Sequence, residues 1–495
     1  MHDDTINQEK VQHEELYSSL YGRPCPLIEV KCVPTFVHEA TFKHNQEEVW
    51  SWYAGTGAFL HIMPEWEGLT PVQVGALSDG EETKFRIKLG PLRPMWVARH
   101  HSVQPGHSFS DVMVKGPFGK WDHEHTIKAI SDDESKVVDS IEWKLPLHFL
   151  TGWTSFISVT PRLKKMFRFR TDRTASDVAA ISKTKHLPRK KVLVTGSTGL
   201  IGNQLCAFLE CGGHQVYRLV RPSSKLPKVV NPNFVIRWNE KTGEIIEGDM
   251  NGFDSVIHLA GAGIGDKRWS KKRKSIIRSS RVDVTTKLCE VLSTLNQPPQ
   301  QFLCGSAIGY YGNRVNERLT ENSTIGQGYL SELCEEWEQS TKSLDSLNIR
   351  VVYLRTGLVM TPMGGILKRL LLPAKMGGLG PVGNGKQMQS WISLDDEIYA
   401  IHHLMMDEDS NGPYNLTAPQ PVSQKQFAKV LGKVLKRPSF VPLPGFMIKL
   451  MFGKMGQSLV LEGQEVYPER LVKSGYEFTH SDLESCFRHN LGLQK

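Results

Sequence analysis

Residues 195–202 read Thr-Gly-Ser-Thr-Gly-Leu-Ile-Gly, and this run has a specific chemical use. A short β-branched stretch (192–195) enters Gly196, Gly199 and Gly202, and a helical pattern follows. Glycines at this spacing permit a tight turn, a close approach of backbone to a pyrophosphate, and tight packing of helix on strand. The free N–H groups at the helix start then face the phosphates. Ser197, Thr198, Leu200 and Ile201 complete that phosphate loop with the three glycines. A strand before and a helix after make it a dinucleotide-binding turn, not merely a Gly-rich loop.

The next strand is expected over 215–220. A site for NAD places Asp or Glu at the end of this strand, to hold the ribose 2′-OH. This chain has Arg218 and Arg221 instead, then Ser223, Ser224 and Lys225, with nothing acidic. A guanidinium pairs with an extra 2′-phosphate, so NADP(H) is expected over NAD(H). Arg218 alternates with Val216 and Val220 and reads as a surface strand residue, which leaves Arg221 as the recognising group. A further strand over 255–259 runs into His258-Leu259-Ala260-Gly261. Small residues there let the backbone pass close to the cofactor ribose, although a buried strand end would favour them too. Elsewhere Trp121, His123 and His125 alternate and share one strand face. H-x-H can ligate a metal, but no third ligand has suitable spacing. The expectation is cavity lining or packing, with no metal.

The elements that position these residues follow from the pattern of the 495-residue chain, whose length suggests roughly three domains. Residues 1–28 read as a flexible extension. Strand-like stretches over 35–41, 83–89, 96–103, 108–114, 123–130 and 136–145, a helix over 44–53 and a long helix over 161–181 form a first α+β unit, 29–181. A linker (182–190) leads to alternating strands and helices over 191–436, the pattern of a doubly wound parallel sheet. A small helical unit, 437–495, starts with the Pro-rich run RPSFVPLPGF.

Composition excludes several classes. Hydrophobic residues at 39% and charged residues at 23% fit a soluble globular protein. No apolar run approaches the ~18 residues of a membrane span, and the polar N-terminus is neither a secretory signal nor a transit peptide. Eight scattered cysteines with no C-x-x-C pair read as reduced thiols of a cytoplasmic protein. The formal charge of +8 is concentrated in 162–191, where eleven Lys/Arg face only Asp172 and Asp177. A nucleic-acid surface would look like this. The favoured reading is a solvated helix face docked through Met166, Phe167 and Phe169, followed by a linker.

Two resemblances extend the reading. The phrases TGSTGLIG, DSVIHLAG, RWSKKRKSIIRSSRV, SAIGYYG, LCEEWE, RTGLVM, GGLGPVGNGKQMQSWISLDD and GPYNLTAPQPVSQKQFAKVLGKVLKRP occur in this order. The chain from 191 to about 487 resembles the epimerase-family (NAD-dependent epimerase/dehydratase) branch of atypical short-chain dehydrogenases/reductases (SDRs), with their C-terminal domain of unknown function. VWSWYAGTGAFLHIMPEWEG, FSDVMVKGPFGKWDHEHTI and VVDSIEWKLPL resemble the START-like (SRPBCC, polyketide-cyclase-like) superfamily. The fold implied is a Rossmann sheet with a small C-terminal helical unit, preceded by a helix-grip domain whose cavity takes an apolar small molecule.

The resemblance also supplies catalytic positions. An orthodox member uses Ser, Tyr and Lys, usually with Asn, the Tyr exchanging the proton. Ser306 takes the Ser position and Arg281 the Asn position. A Y-x-x-x-K motif should follow, but Leu333 stands four residues after Tyr329, so the lysine is missing. Tyr310, Tyr311 and Tyr329 remain as proton donors, and Arg281 would depress a nearby phenol's pKa. Glu332 reads as a solvated helix residue, and Asp395 and Asp396 as caps of the next helix. In extended relatives the Gly-rich segment encloses substrate, which makes Gln387, Ser390 and Trp391 pocket candidates.

The resulting expectation is an NADP(H)-dependent epimerase or oxidoreductase acting on an unidentified apolar or carbonyl compound. The alternative is a non-catalytic NADP(H)-binding sensor or scaffold, or an RNA-binding relative.

Overall fold

The computed structural model describes residues 34–146, 159–226 and 229–494. The expected extension over 1–28 lies outside the described residues, as do Cys25 and Cys32. Seven strands form one antiparallel sheet: β1 (Thr35–Phe42), β2 (Thr70–Gln73), β3 (Glu82–Arg86), β4 (Met95–Gln104), β5 (Ser108–Lys115), β6 (Lys120–Ala129) and β7 (Ser135–Lys144). Their order is β1-β7-β6-β5-β4-β3-β2. The sequence pattern misses β2, which carries Pro71 and lies at the sheet edge, where a missing N–H costs nothing. Helices α1 (Gln46–Ala54) and α2 (Ala58–Ile62) fill the connection from β1 to β2. The 23-residue helix α3 (Thr160–Ser182) lies across the sheet.

Alternation fixes the covered face. Ser135, Val137, Asp139, Ile141 and Trp143 of β7 point inward, with Trp121, His123, His125 and Ile127 of β6. Phe167 of α3 closes on them, its ring 5.4 Å from Phe36 and 5.6 Å from His123. The space left between helix and sheet is a cavity of about 10 Å³ beside Tyr53, His125, Asp139 and Arg170. That is room for one water. Among the described residues, packed aromatic rings and a polar cluster fill this face.

The second sheet contains β8 (Lys191–Thr195), β9 (Gln215–Val220), β10 (Val235–Trp238), β11 (Ile245–Glu247), β12 (Ser255–His258), β13 (Gln301–Ala307), β15 (Arg350–Thr356) and β19 (Gly412–Leu416). Their order is β11-β10-β9-β8-β12-β13-β15-β19, parallel except for β11. Strand order reverses between β8 and β12, the place where such sheets open a ligand crevice. Val192, Val194, Ile257, Leu303 and Val352 pack on one face, and Leu193, Val256 and Phe302 on the other. Burial of both faces explains why these strands read as continuous apolar runs. Three short ladders tie later segments together: β14 (Arg318–Leu319) with β21 (Glu465–Val466), β16 (Leu358–Met360) with β18 (Trp391–Ser393), and β17 (Met388–Gln389) with β20 (Val422–Ser423).

The two sheets are joined by a close seam, not only by a linker. A Cβ on Gly57 would lie 2.0 Å from the Ala207 carbonyl oxygen, and one on Gly55 2.7 Å from Cys211 Cα. Both contacts fall on helix α4 (Leu200–Cys211), which follows the glycine loop; α5 (Lys271–Ser279), α6 (Val282–Ser293), α7 (Tyr329–Gln339), α8 (Gly365–Lys375) and α9 (Leu394–Met406) come later in the chain. Asp177 of α3 accepts from Trp52 Nε1 at 3.1 Å and from the Tyr399 hydroxyl at 2.5 Å. Arg173 pairs with Asp395 at 2.8 Å, both buried. Helix α3 docks through Phe167 and Phe169 with Arg162, Lys164 and Arg168 exposed, as expected, but Arg170, Arg173 and Asp177 also point inward, which the solvated-face reading did not anticipate.

Candidate functional site

The glycine loop is built by exclusion. Gly196 has φ +68°, and a Cβ there would sit 2.7 Å from the Leu259 carbonyl. A Cβ at Gly202 would lie 2.4 Å from the Gly196 oxygen. The Gly199 N–H donates to the Gly196 carbonyl at 2.8 Å, closing the turn. Only glycine avoids both the collisions and the positive-φ strain. Gly199 caps α4 with no side-chain acceptor, so the first-turn N–H groups stay available. The Ser197 hydroxyl beside them is buried with no hydrogen-bond partner. An unsatisfied buried hydroxyl and free helix N–H groups are a donor set that fits a diphosphate. Leu259, Ala260 and Gly261 form the facing wall, and the Arg281 guanidinium lies 3.1–3.3 Å from where a Gly261 Cβ would be.

Arg218 is not on the surface. It is buried, donating to the Ser197 carbonyl at 3.3 Å and pairing with Glu210 at 3.2 Å. It braces the glycine loop from below. Arg221 stands exposed just beyond β9, in a turn closed by Ser224 N–H onto its carbonyl at 3.0 Å. Arg237 holds that turn by donating to the carbonyls of Pro222 and Ser224 at 3.2 and 3.4 Å.

Beyond β13 the sequence positions meet a network the sequence reading missed. The Ser306 hydroxyl donates to Glu338 at 2.7 Å, and Arg355 grips both Glu338 oxygens at 2.8 Å. Arg355 also donates to the Tyr311 hydroxyl at 3.0 Å, which donates to Asn415 at 2.7 Å. Burial pushes the Tyr311 phenol up to about 12, outweighing the guanidinium beside it. Tyr310 lies with its ring over the Arg355 guanidinium, 3.6 Å from centroid to carbon, and is half-buried. No hydrogen bond to its hydroxyl occurs among the described residues. Glu338 was legible in one respect: it shares a face with Cys334 and Trp337 on α7 (Tyr329–Gln339), and an acid on an apolar face is a signal.

The other expected residues separate. Tyr329 opens α7 and donates to the Lys274 carbonyl at 3.2 Å, with Lys274 Nζ 3.9 Å from its ring centroid. Burial raises its pKa, and the opposing pull of Arg281 does not reverse this. The expected depression by Arg281 therefore fails. Arg281 itself donates to the Ala262 carbonyl at 3.0 Å. Leu333 is buried in the core at the lysine position, and Glu332 is exposed. Gln387 donates to the Val382 and Val460 carbonyls, Ser390 to that of Gln464, and buried Trp391 to that of Gln420. These three stitch the Gly-rich segment to the C-terminal chain instead of presenting free groups. Ser393, not Asp395 or Asp396, caps α9 (Leu394–Met406), its hydroxyl accepting from the Asp396 N–H at 2.9 Å. The six described cysteines are buried free thiols, and burial pushes Cys206 and Cys334 up to about 12.

The metal expectation also changes. Asp111 stands opposite His123 across β5 and β6, and Asp139 opposite His125 across β6 and β7. Cross-strand register thus supplies carboxylates that spacing along one strand did not reveal. No helix among the described residues is long and apolar enough to cross a membrane.

Comparisons with known proteins follow this division. The NAD dependent epimerase/dehydratase family profile matches residues 192–417, and a domain of unknown function (DUF1731) matches 443–489. The Epimerase family protein Mb2239 of Mycobacterium bovis is 35% identical over 295 residues, 59% of this chain and 94% of that protein. The crystal structure of a nucleoside-diphosphate sugar epimerase from Corynebacterium glutamicum superimposes with TM-score 0.73 at 28% identity, over 93% of this chain and 91% of that one. That coverage takes in the antiparallel sheet as well as the parallel one. The human epimerase family protein SDR39U1, solved with NADPH, is 28% identical with TM-score 0.54, over 60% of this chain and 98% of its own.

Proposed function

The chain belongs to the NAD dependent epimerase/dehydratase family, and on that premise we propose that it is an NADP(H)-dependent epimerase or oxidoreductase. One observation carries the reading: the turn at Gly196–Gly202, which excludes any Cβ at two positions and keeps an unsatisfied buried hydroxyl beside a helix start with no side-chain cap. In this reading those groups hold the diphosphate, with Leu259, Ala260 and Gly261 against the ribose. Arg221 selects the 2′-phosphate, supported by the NADPH bound to the human relative. When bound, the cofactor supplies hydride transfer, and the protein supplies orientation and polarisation.

Tyr310 is the residue that exchanges the proton, since its hydroxyl is free while those of Ser306, Tyr311 and Tyr329 donate elsewhere. Arg355 positions its ring, and Ser306 acts through Glu338. Arg281 shapes the ribose wall. The unit before residue 182 is a START-like domain, supported by one helix gripping a seven-stranded sheet. The divisions at 181, 190 and 436 are part of this reading. Buried Leu333 favours a second reading, a non-catalytic NADP(H)-binding sensor.

Calorimetry with both nucleotides tests the proposal. NADPH should bind at least ~10-fold tighter than NADH, about 1.4 kcal/mol, and Arg221→Asp should erase the preference. Equal affinities, or no nicotinamide nucleotide bound, overturn it. NADPH consumption over a carbonyl panel, lost in Tyr310→Phe, separates enzyme from sensor.

A further inference from the structure

We infer that Asp111, His123 and His125 form a binding site for a zinc-class divalent cation, with Asp139 as the carboxylate that holds both imidazoles from behind. The site follows from register. Asp111 faces His123 across β5–β6, His125 follows on the same face of β6, and Asp139 faces His125 across β6–β7. All four side chains are therefore on the sheet face covered by α3.

The distances sort the four by role. A tetrahedral ion with bonds of ~2.0–2.1 Å places its donors about 3.3–3.4 Å apart. Asp111 Oδ2 lies 3.4 Å from His123 Nδ1 and 3.7 Å from His125 Nε2. The opposite nitrogens turn to Asp139, whose Oδ1 lies 3.3 Å from His123 Nε2 and 2.7 Å from His125 Nδ1. Each ring thus offers one nitrogen toward Asp111 and the other toward Asp139. That is the carboxylate–histidine–metal relay, in which the outer carboxylate takes the N–H and fixes the tautomer. His125 Nδ1 approaches Asp139 closely but makes no well-aligned hydrogen bond there. Arg170 lines the same small cavity as Asp139 and balances its charge. Binding the ion would displace any proton from the two nitrogens that face Asp111, which leaves two imidazoles and one carboxylate as its ligands. The fourth position is left to water, as in sites with three protein ligands. Two imidazoles and one carboxylate suit zinc. Bound there, the ion fastens β5 to β6 under the helix.

A second Asp–His–His group serves as a control. Asp395 lies 3.0 Å from His489 and 3.8 Å from His480, but Arg173 already pairs with it at 2.8 Å. That guanidinium already neutralises the one carboxylate a cation would need, so this group is a seam contact.

The test uses the full chain, purified without chelator, for metal analysis by mass spectrometry. The stripped protein is then titrated with Co(II) and with Zn(II). About one equivalent is expected, with the visible d–d absorption of tetrahedral Co(II) and a raised melting temperature. Asp111→Asn and His125→Gln should weaken binding at least ~100-fold, and Asp139→Asn ~10–100-fold. His489→Gln should change it less than ~2-fold. Absence of both the metal and the Co(II) band overturns the inference. So does binding that survives Asp111→Asn and His125→Gln, or is lost in His489→Gln. If the ligand variants fail to fold, the Co(II) spectrum of the unaltered chain decides.

Discussion

Asp139 in the antiparallel sheet and Glu397 beside the parallel one are both buried carboxylates, yet their proton affinities move in opposite directions. Burial opposes the charge on Asp139, but in the metal-free chain the imidazoles of His123 and His125 hold it well below the usual carboxylate range. Among the described residues the one hydrogen bond to Glu397 comes from the Thr356 hydroxyl, at 2.7 Å, and burial pushes it up to about 8. The contrast extends to how each half makes its site. The parallel half uses backbone at strand ends, where glycines clear space for a ligand. The antiparallel half uses charged side chains in mid-strand, which must neutralise one another or an ion. Substitutions should therefore act differently in the two halves.

The largest effect on ligand binding is expected at the backbone-built site. Gly202→Val places a side chain 2.4 Å from a carbonyl oxygen that belongs to the turn itself. The turn cannot keep its shape, so NADPH affinity should fall at least ~100-fold, about 2.8 kcal/mol. Metal content at Asp111, His123 and His125 should not change. Fluorescence titration of NADPH on the folded variant checks the first, and metal analysis the second. Joint loss of both would show that the halves are not separable.

The seam comes next. Arg173→Met leaves Asp395 buried without its guanidinium, and breaking a buried pair costs about 3–5 kcal/mol. Denaturant unfolding should show that loss, or a separate early transition of the antiparallel half. Lys183 and Glu477 span the same seam at 2.6 Å but are exposed. Lys183→Ala should leave the midpoint unchanged, because solvent already screens that pair.

Sequence patterns reach the backbone-built site far better than the side-chain-built one. The strand-loop-helix around Gly196, Gly199 and Gly202 is local, so one window contains all its parts. Arg218 was misread because alternation along β9 cannot show that both faces of a parallel strand are buried. His123 and His125 were visible as a pair, but Asp111 and Asp139 join them only through strand register. The signal was present: Asp139 alternates with Val137, Ile141 and Trp143 in an otherwise apolar inward row. Ser306, Glu338 and Arg355 come from β13, α7 and β15, so no spacing rule links them. Gly55 and Gly57 read as loop glycines, and only the packed seam shows that they admit the backbone of α4.

The smallest predicted effect separates the two acids by pH. For Asp139 the folded pKa lies below the unfolded one. Its contribution is present above the unfolded carboxylate value near ~4 and is lost as pH falls toward the folded value. For Glu397 the folded pKa of about 8 exceeds the usual 4.5. The folded chain then holds a proton that the unfolded chain releases, so stability declines as pH rises from about 4.5 through 8. Glu397→Gln mimics the protonated acid and can still accept from Thr356. It should match the parent near pH 4.5 and exceed it near pH 9. Unfolding curves at the two pH values read this directly. A parallel loss in both proteins would mean that Glu397 keeps its charge inside the fold. An unseen counter-ion would then have to neutralise it, as Arg355 neutralises Glu338.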